Sequence, residues 1–312
     1  MSSTPAASAA RQEPGWFKRY WIPIIVVLIG VLAFMVWKKL SISVTYAPYE
    51  ANYTSKPDFA QIEQEYPLSA KQLMTVTPEN IRKLDQEKVD QIYARLTAGP
   101  IPDGSYDGDL FFPNGMSGQK RLGEIVGGLK GVAADIEVQK LTLLGKALWK
   151  GKVFYRDERV LRNRINDLNA FKEFFPAPAQ QQKLDEEQKA LTEHPTSENQ
   201  YFPAKLYCGQ SLLDSRRESI IIDYAFTDDL KNYRPIPDAL AGREGLLVRD
   251  EIRMVRPGFY LGRAYMAGTF ILNFTLYNKE VAEKGSESFL NNQQTAEDCW
   301  IGYQRMAANA PQ

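Results

Sequence analysis

Three polar residues, Asp250, Arg263 and Tyr265, fall among apolar ones on one face of the alternating run Leu246–Tyr277, LLVRDEIRMVRPGFYLGRAYMAGTFILNFTLY. An arginine in apolar surroundings can clamp a carboxylate or phosphate head group through paired N–H bonds, and a neighbouring carboxylate and phenol can orient it. Ligand cavities are mostly apolar with a few placed polar groups, and Phe259, Phe270 and Phe274 would supply the greasy wall. The same Asp250 and Tyr265, with pKa values displaced by burial, could serve as acid and base in an isomerisation or a hydrolysis with Arg263 beside them. The bland alternative is an internal ion pair that closes a solid core. Buried charges need partners in either case, and breaking such a pair typically costs about 3–5 kcal/mol.

These residues can meet only if the run folds as three antiparallel strands with turns at Pro257-Gly258 and Ala267-Gly268. Two-residue loops would set Met254 opposite Leu261, Ile252 opposite Arg263 and Asp250 opposite Tyr265. The second turn would then set Tyr265 opposite Phe270, Arg263 opposite Leu272 and Leu261 opposite Phe274. Both turns put the same set on one face, and a one-residue slip in either would reverse it. The inward face would hold Val248, Asp250, Ile252, Met254, Phe259, Leu261, Arg263, Tyr265, Phe270, Leu272, Phe274 and Leu276. Arg249, Glu251 and Arg253 would form a solvated charged face.

Composition narrows the chemistry. The 312 residues include 38 Lys plus Arg against 38 Asp plus Glu, so no bulk electrostatic attraction to nucleic acid is expected. One histidine, His194, and two cysteines leave no histidine-based catalysis and no Cys/His metal site. No cofactor fingerprint and no nucleophile with an adjacent base is present, so the reading leans away from an enzyme.

Residues 1–19 read as a disordered cytoplasmic tail and 20–37 as a transmembrane anchor. YWIPIIVVLIGVLAFMVW holds no charge over a length of about 27 Å, enough for a hydrocarbon core. Trp16, Tyr20 and Trp21 at one end and Trp37 at the other are placed like interfacial aromatics. Lys38-Lys39 follows with no small-x-small site, which argues against a cleaved signal peptide. Arg11, Lys18 and Arg19 before the span, against Lys38 and Lys39 after it, favour a cytoplasmic N-terminus with the rest across the membrane, periplasmic in a bacterium. In that oxidising compartment Cys208 and Cys299 could form a disulfide; otherwise both are buried thiols. Asn52 and Asn273 each begin an N-x-T triplet, a pattern that also arises by chance.

Residues 38–99 read as a membrane-proximal linker. Ser41–Tyr46 alternates like a short strand, and Thr77–Leu96 is an amphipathic helix with Thr77 as N-cap and Pro78 at its first position. The main domain spans 100–277, opening with Gly104-Ser105-Tyr106-Asp107-Gly108, in which glycines flank an alternating aromatic. Gly118–Val132 reads as a helix without Walker spacing, and Lys140–Trp149 as helical or extended. Strands follow at Gly151–Tyr155, Ala204–Leu213 and Glu218–Phe226, the last presenting Ile220, Ile222, Tyr224 and Phe226 on one face. Residues 176–203 are a polar insertion with a short helix at Gln181–Leu191, and His194 lies there as an exposed loop residue. A Pro-rich connection, Tyr233–Gly245, leads into the three-strand run. Residues 278–312 form a helical or loose tail.

GSYDGDLF, then a helical stretch, then Leu148-Trp149-Lys150-Gly151-Lys152-Val153-Phe154, resembles the bacterial and fungal GxWxG-type proteins. It is similar also to the Gly-x-Trp opening strand of the lipocalins, calycin-like barrels. The resemblance covers about Pro100–Tyr277, with Tyr106 where the family has Trp, an additional anchor and the polar insertion. It implies a β-barrel and no particular chemistry. The expected fold is therefore mainly β with helices, a lipocalin-like antiparallel barrel behind one transmembrane helix. The expected function is membrane-anchored, non-catalytic binding of a hydrophobic small molecule or lipid, since a barrel of about eight strands can hold one small ligand. The alternatives are an accessory subunit of a membrane complex with a solid barrel, and an acid–base enzyme acting on a hydrophobic substrate.

Overall fold

Runs of two-residue alternation become eight antiparallel strands: β1 Gly104–Phe111, β2 Trp149–Tyr155, β3 Val160–Ile165, β4 Gln200–Gln210, β5 Glu218–Asp223, β6 Val248–Arg256, β7 Phe259–Met266 and β8 Thr269–Tyr277. Each pairs with its neighbour in sequence and β8 pairs back onto β1, giving a closed up-and-down barrel with no free edge. The computed structural model describes residues 16–49, 57–113, 149–193, 200–292 and Cys299. The helix expected at Gly118–Val132, the segment Lys140–Leu148, His194 and Asn52 lie outside them. The chain divides into two units, Met1–Ser41 and Ile42–Gln312.

In the first unit, the apolar stretch lies in one 25-residue helix, α1, Trp16–Leu40. Its side chains are described from Trp21 to Trp37, and the large apolar ones among them are exposed. Among the described residues no helix is long and apolar enough to cross a membrane.

In the second unit, the described residues 42–49 and 57–98 are folded against the barrel rather than forming a linker. Four short helices, α2 Phe59–Glu65, α3 Ala70–Met74, α4 Pro78–Ile81 and α5 Gln86–Ala94, bury Phe59, Ile62, Ile81, Val89 and Ile92 against the outer residues Val255, Phe259 and Leu261. Thr77 and Pro78 start a helix as expected, with a reciprocal cap between Thr77 and Asn80. The single helix Thr77–Leu96 is nonetheless two, because Asp85 begins α5 by accepting the Lys88 N–H. Ser41–Tyr46 is not a strand. The helical layer also overturns the solvated charged face. Glu251 and Arg253 are both fully buried. Arg253 spreads its guanidinium over six acceptors, including the Tyr93 and Ala94 carbonyls at the end of α5 and those of Asp214 and Arg217, and so pins helix and loop to β6. Asn273 is buried too, so it cannot carry a glycan in the fold.

The expected register fails in an instructive way. Both tight turns are where they should be, with Arg256 opposite Phe259 and Met266 opposite Thr269. Beside each turn one extra residue enters: the pairing shifts between Met254 and Arg256 on β6, and opposite Ala264–Tyr265 on β8, where Ile271 is the additional residue. Asp250 therefore faces Ala264 and Ile252 faces Gly262, while Glu251 faces Arg263. β6 and the body of β8 keep their predicted faces, and β7 is reversed between them.

The strand between Val160 and Ile165 was not anticipated, although Leu161, Asn163 and Ile165 alternate inward there. The polar insertion becomes α6, Pro178–Glu193, which sinks Leu184 and Leu191 into the core. The Pro-rich connection holds a short turn, α7, Pro235–Asp238, and β8 runs into α8, Lys279–Asn292. Phe226, expected beside Ile220, Ile222 and Tyr224, is exposed.

The lower half of the barrel, where β1 begins, is filled. The Tyr106 ring meets Phe154 and Tyr260 edge-on at 5.6 and 5.8 Å, and Leu161, Leu206, Ile252 and Leu276 complete the packing. Cys299 enters this core, donating its N–H to Gly99 O and forming a disulfide with Cys208, Cα to Cα 5.4 Å. The bond closes a loop spanning 91 positions. Loops of this size gain most from closure, so Cys208→Ala should lower the unfolding free energy by about 2–4 kcal/mol in urea titrations, and added reductant should do the same to the wild type alone.

Candidate functional site

The inward residues of the upper half do not fill it. They surround a cavity of about 230 Å³, somewhat smaller than the sites that hold drug-sized molecules. Its walls are Phe171 and Phe174 from the 3-10 turn Asn169–Phe174, Phe202 at the start of β4, Leu240 and Leu246 from the β5–β6 connection, and Val248, Met266 and Leu272 from the barrel. A second space of about 250 Å³, at the lower end, lies between the barrel and α8, beside Asp103 and Arg156.

The floor of the upper cavity is polar. Lys152 is 3% exposed and points inward from β2. A register shift between Trp149 and Gly151 lets Trp149 and Lys152, three apart, share the inner face. Gly151 takes a positive φ of 134° there, a conformation closed to most other residues. The three ammonium donors go to Asn163 Oδ1 at 2.8 Å, Tyr224 Oη at 2.7 Å and Asp250 Oδ2 at 3.0 Å. The rings of Trp149, Tyr224 and Phe274 stand 5.3–5.4 Å from the same nitrogen, within cation–π range. Trp149 Nε1 donates to Asn163 Oδ1, and Asn163 Nδ2 donates to Phe202 O and Tyr224 Oη. Tyr224 Oη in turn donates to Asp250 Oδ2. Burial pushes the Lys152 pKa below the usual lysine value, with Asp250 opposing it. Burial, reinforced by Asp250, holds the Tyr224 phenol well above its ordinary value.

Two glycines make this floor. A side chain at Gly108 would run into the Trp149 ring, and one at Gly262 into the Phe274 ring. Trp149 and Phe274 lie across those gaps and meet edge-on at 5.7 Å.

Of the residues expected to form the site, Asp250 and Phe274 reach the cavity. Arg263, Tyr265, Phe259 and Phe270 do not, because the reversal of β7 and the extra residue at Ile271 turn them outward beneath the helices. Arg263 is 1% exposed, paired with Asp90 of α5, bonded from Nε to Tyr265 Oη at 3.0 Å, and stacked on Phe270 with 4.0 Å to the ring centroid. The ion-pair alternative thus describes Arg263 and Asp250 separately, with partners neither was expected to have. The Asp250–Tyr265 acid–base pair is not formed. Lys152, Asn163 and Trp149 were missed, and Tyr224 was placed inward but given no role. The signal lay in the alternation: Lys152 shares Phe154's parity, and Asn163 lies between Leu161 and Ile165.

Asp238 braces the cavity rim. Its carboxylate accepts the N–H of Phe202 at 2.6 Å and of Arg234 at 2.8 Å, tying the β5–β6 connection to β4. Burial raises its pKa from 3.8 to about 6 despite these bonds. A raised folded value means the folded state keeps a proton the unfolded chain has lost, so this contribution is complete below about pH 4 and lost as pH climbs through about 6. At 1.36 kcal/mol per pH unit, that gap amounts to about 3 kcal/mol. The stability of the wild type relative to Asp238→Asn should fall by about that amount between pH 4 and pH 7, read from urea unfolding at each pH.

No family model matches the sequence, and no curated protein does. Among solved structures, the crystal structure of a protein from Thermomonospora curvata aligns with 63% of this chain and 88% of its own, at 16% identity and a TM-score of 0.31, a likeness too slight to carry an argument.

Proposed function

We propose that the chain is a membrane-anchored binding protein that holds one small, largely apolar molecule in the upper half of a lipocalin-like barrel. The observation that supports this reading is the unevenness of the interior. In one half Tyr106, Phe154 and Tyr260 close the interior, leaving a space of about 250 Å³ only between that end and α8, while the other half keeps an interior cavity of about 230 Å³ over a floor of Lys152, Asp250, Tyr224 and Asn163. An accessory subunit with no ligand would favour a barrel filled throughout, since an empty cavity costs stability.

The anchor is read from the sequence, from the uncharged stretch 20–37 and the aromatics that flank it. A barrel on the oxidising side of the membrane accords with the pairing of Cys208 and Cys299.

Benzene is small enough to test the cavity. In full-length protein in lipid nanodiscs, it should raise the melting temperature of the wild type, because a ligand of the folded state alone stabilises it. It should leave Ala264→Trp unmoved, since Ala264 lines the cavity opposite Asp250 and the indole would fill the space. Equal shifts in both proteins would remove the proposal.

A further inference from the structure

We infer that the cavity selects an uncharged ligand whose polar end donates a hydrogen bond, an alcohol above all, and disfavours carboxylates and phosphates. This rests on the binding reading above and adds the chemistry of the head group.

Donors and acceptors on the floor decide the head group. All three Lys152 N–H groups are spent on Asn163, Tyr224 and Asp250. The Trp149 N–H goes to Asn163, both bonds of the Asn163 amide nitrogen go to Phe202 and Tyr224, and the Tyr224 hydroxyl points at Asp250. A carboxylate entering the cavity would find every donor of the floor engaged. The unused capacity is an acceptor. Both bonds to the Asp250 carboxylate end on Oδ2, and among the described residues Oδ1 accepts none. Asp250 lines this mostly apolar cavity, so a donor brought by a ligand would meet there an oxygen that no described donor holds.

Charge points the same way. Lys152 and Asp250 are the charged residues lining the cavity, and they pair with each other. An anion or an ammonium would add a net charge to apolar surroundings with no further counter-charge. A hydroxyl adds none and satisfies Oδ1. The expectation of an acidic head group clamped by Arg263 is thereby replaced by a neutral donor held by Asp250.

Four probes of one shape test this: cyclohexylmethanol, its methyl ether, cyclohexanecarboxylate and cyclohexylmethylamine. Each is titrated calorimetrically at neutral pH into the full chain in nanodiscs, with empty nanodiscs subtracted. The alcohol should bind at least tenfold more tightly than each of the others. An acid or amine that matches the alcohol would overturn the inference while leaving the cavity reading intact, and so would an ether that matches it. If all four fail to bind, the cavity reading falls and the inference with it. Asp250→Asn should bring the alcohol-to-ether ratio towards one; a ratio kept at tenfold in the folded variant would also refute the role of Asp250. The wild-type series carries the test alone where that variant does not fold.

Discussion

Replacing Asp250 by leucine should destabilise the barrel by about 3–5 kcal/mol, and replacing Lys152 by methionine in the same chain should restore most of that loss. The two side chains are 3% and 6% exposed, and the ammonium has one carboxylate partner, 3.0 Å away. Removing that partner leaves a charge in an interior that cannot solvate it, although Asn163 and Tyr224 still accept two of its bonds. Removing both charges leaves two apolar groups in an apolar wall, which is often neutral or better for stability. The four proteins form a double-mutant cycle, and urea unfolding should return a coupling of several kcal/mol. Single variants within about 0.5 kcal/mol of the wild type, the size of an ordinary surface substitution, would mean that the pair is not buried as described.

Arg263→Met should cost a similar amount, about 3–5 kcal/mol, for a different reason. Its guanidinium sits between barrel and helices, where it answers Asp90, bonds Tyr265 and stacks on Phe270. Without it, the buried Asp90 carboxylate loses its paired guanidinium, while the Gln86 amide still donates to it at 2.7 Å. Because Arg263 lies outside the cavity wall, whatever fraction stays folded should bind its ligand as before. A stable variant that loses ligand would restore the head-group clamp and contradict the register described here.

The barrel was legible because its signals are local. The Pro257-Gly258 and Ala267-Gly268 turns, the alternation in β6 to β8, and the Gly104–Phe111 and Leu148–Phe154 motifs are each readable within a few consecutive residues. The site was less so, for two physical reasons. A β-bulge adds one residue and inverts everything beyond it, and nothing in Met254-Val255-Arg256 or Phe270-Ile271-Leu272 announces one. The two bulges flank β7, so both turns agreed with each other while Arg263 and Tyr265 were assigned to the wrong face. The second reason is the helical layer. Glu251 and Arg253 look like surface residues until α5 covers them, and that contact joins segments about 160 positions apart, as between Tyr93 and Arg253.

Native mass spectrometry of the full chain, purified in mild detergent from the cells that made it, tests the central claim most directly. The account predicts one small neutral amphiphile per barrel, present in the wild type and absent from Ala264→Trp. A wild-type barrel that is fully folded and carries nothing, or that carries the same molecule after Ala264→Trp, would contradict it.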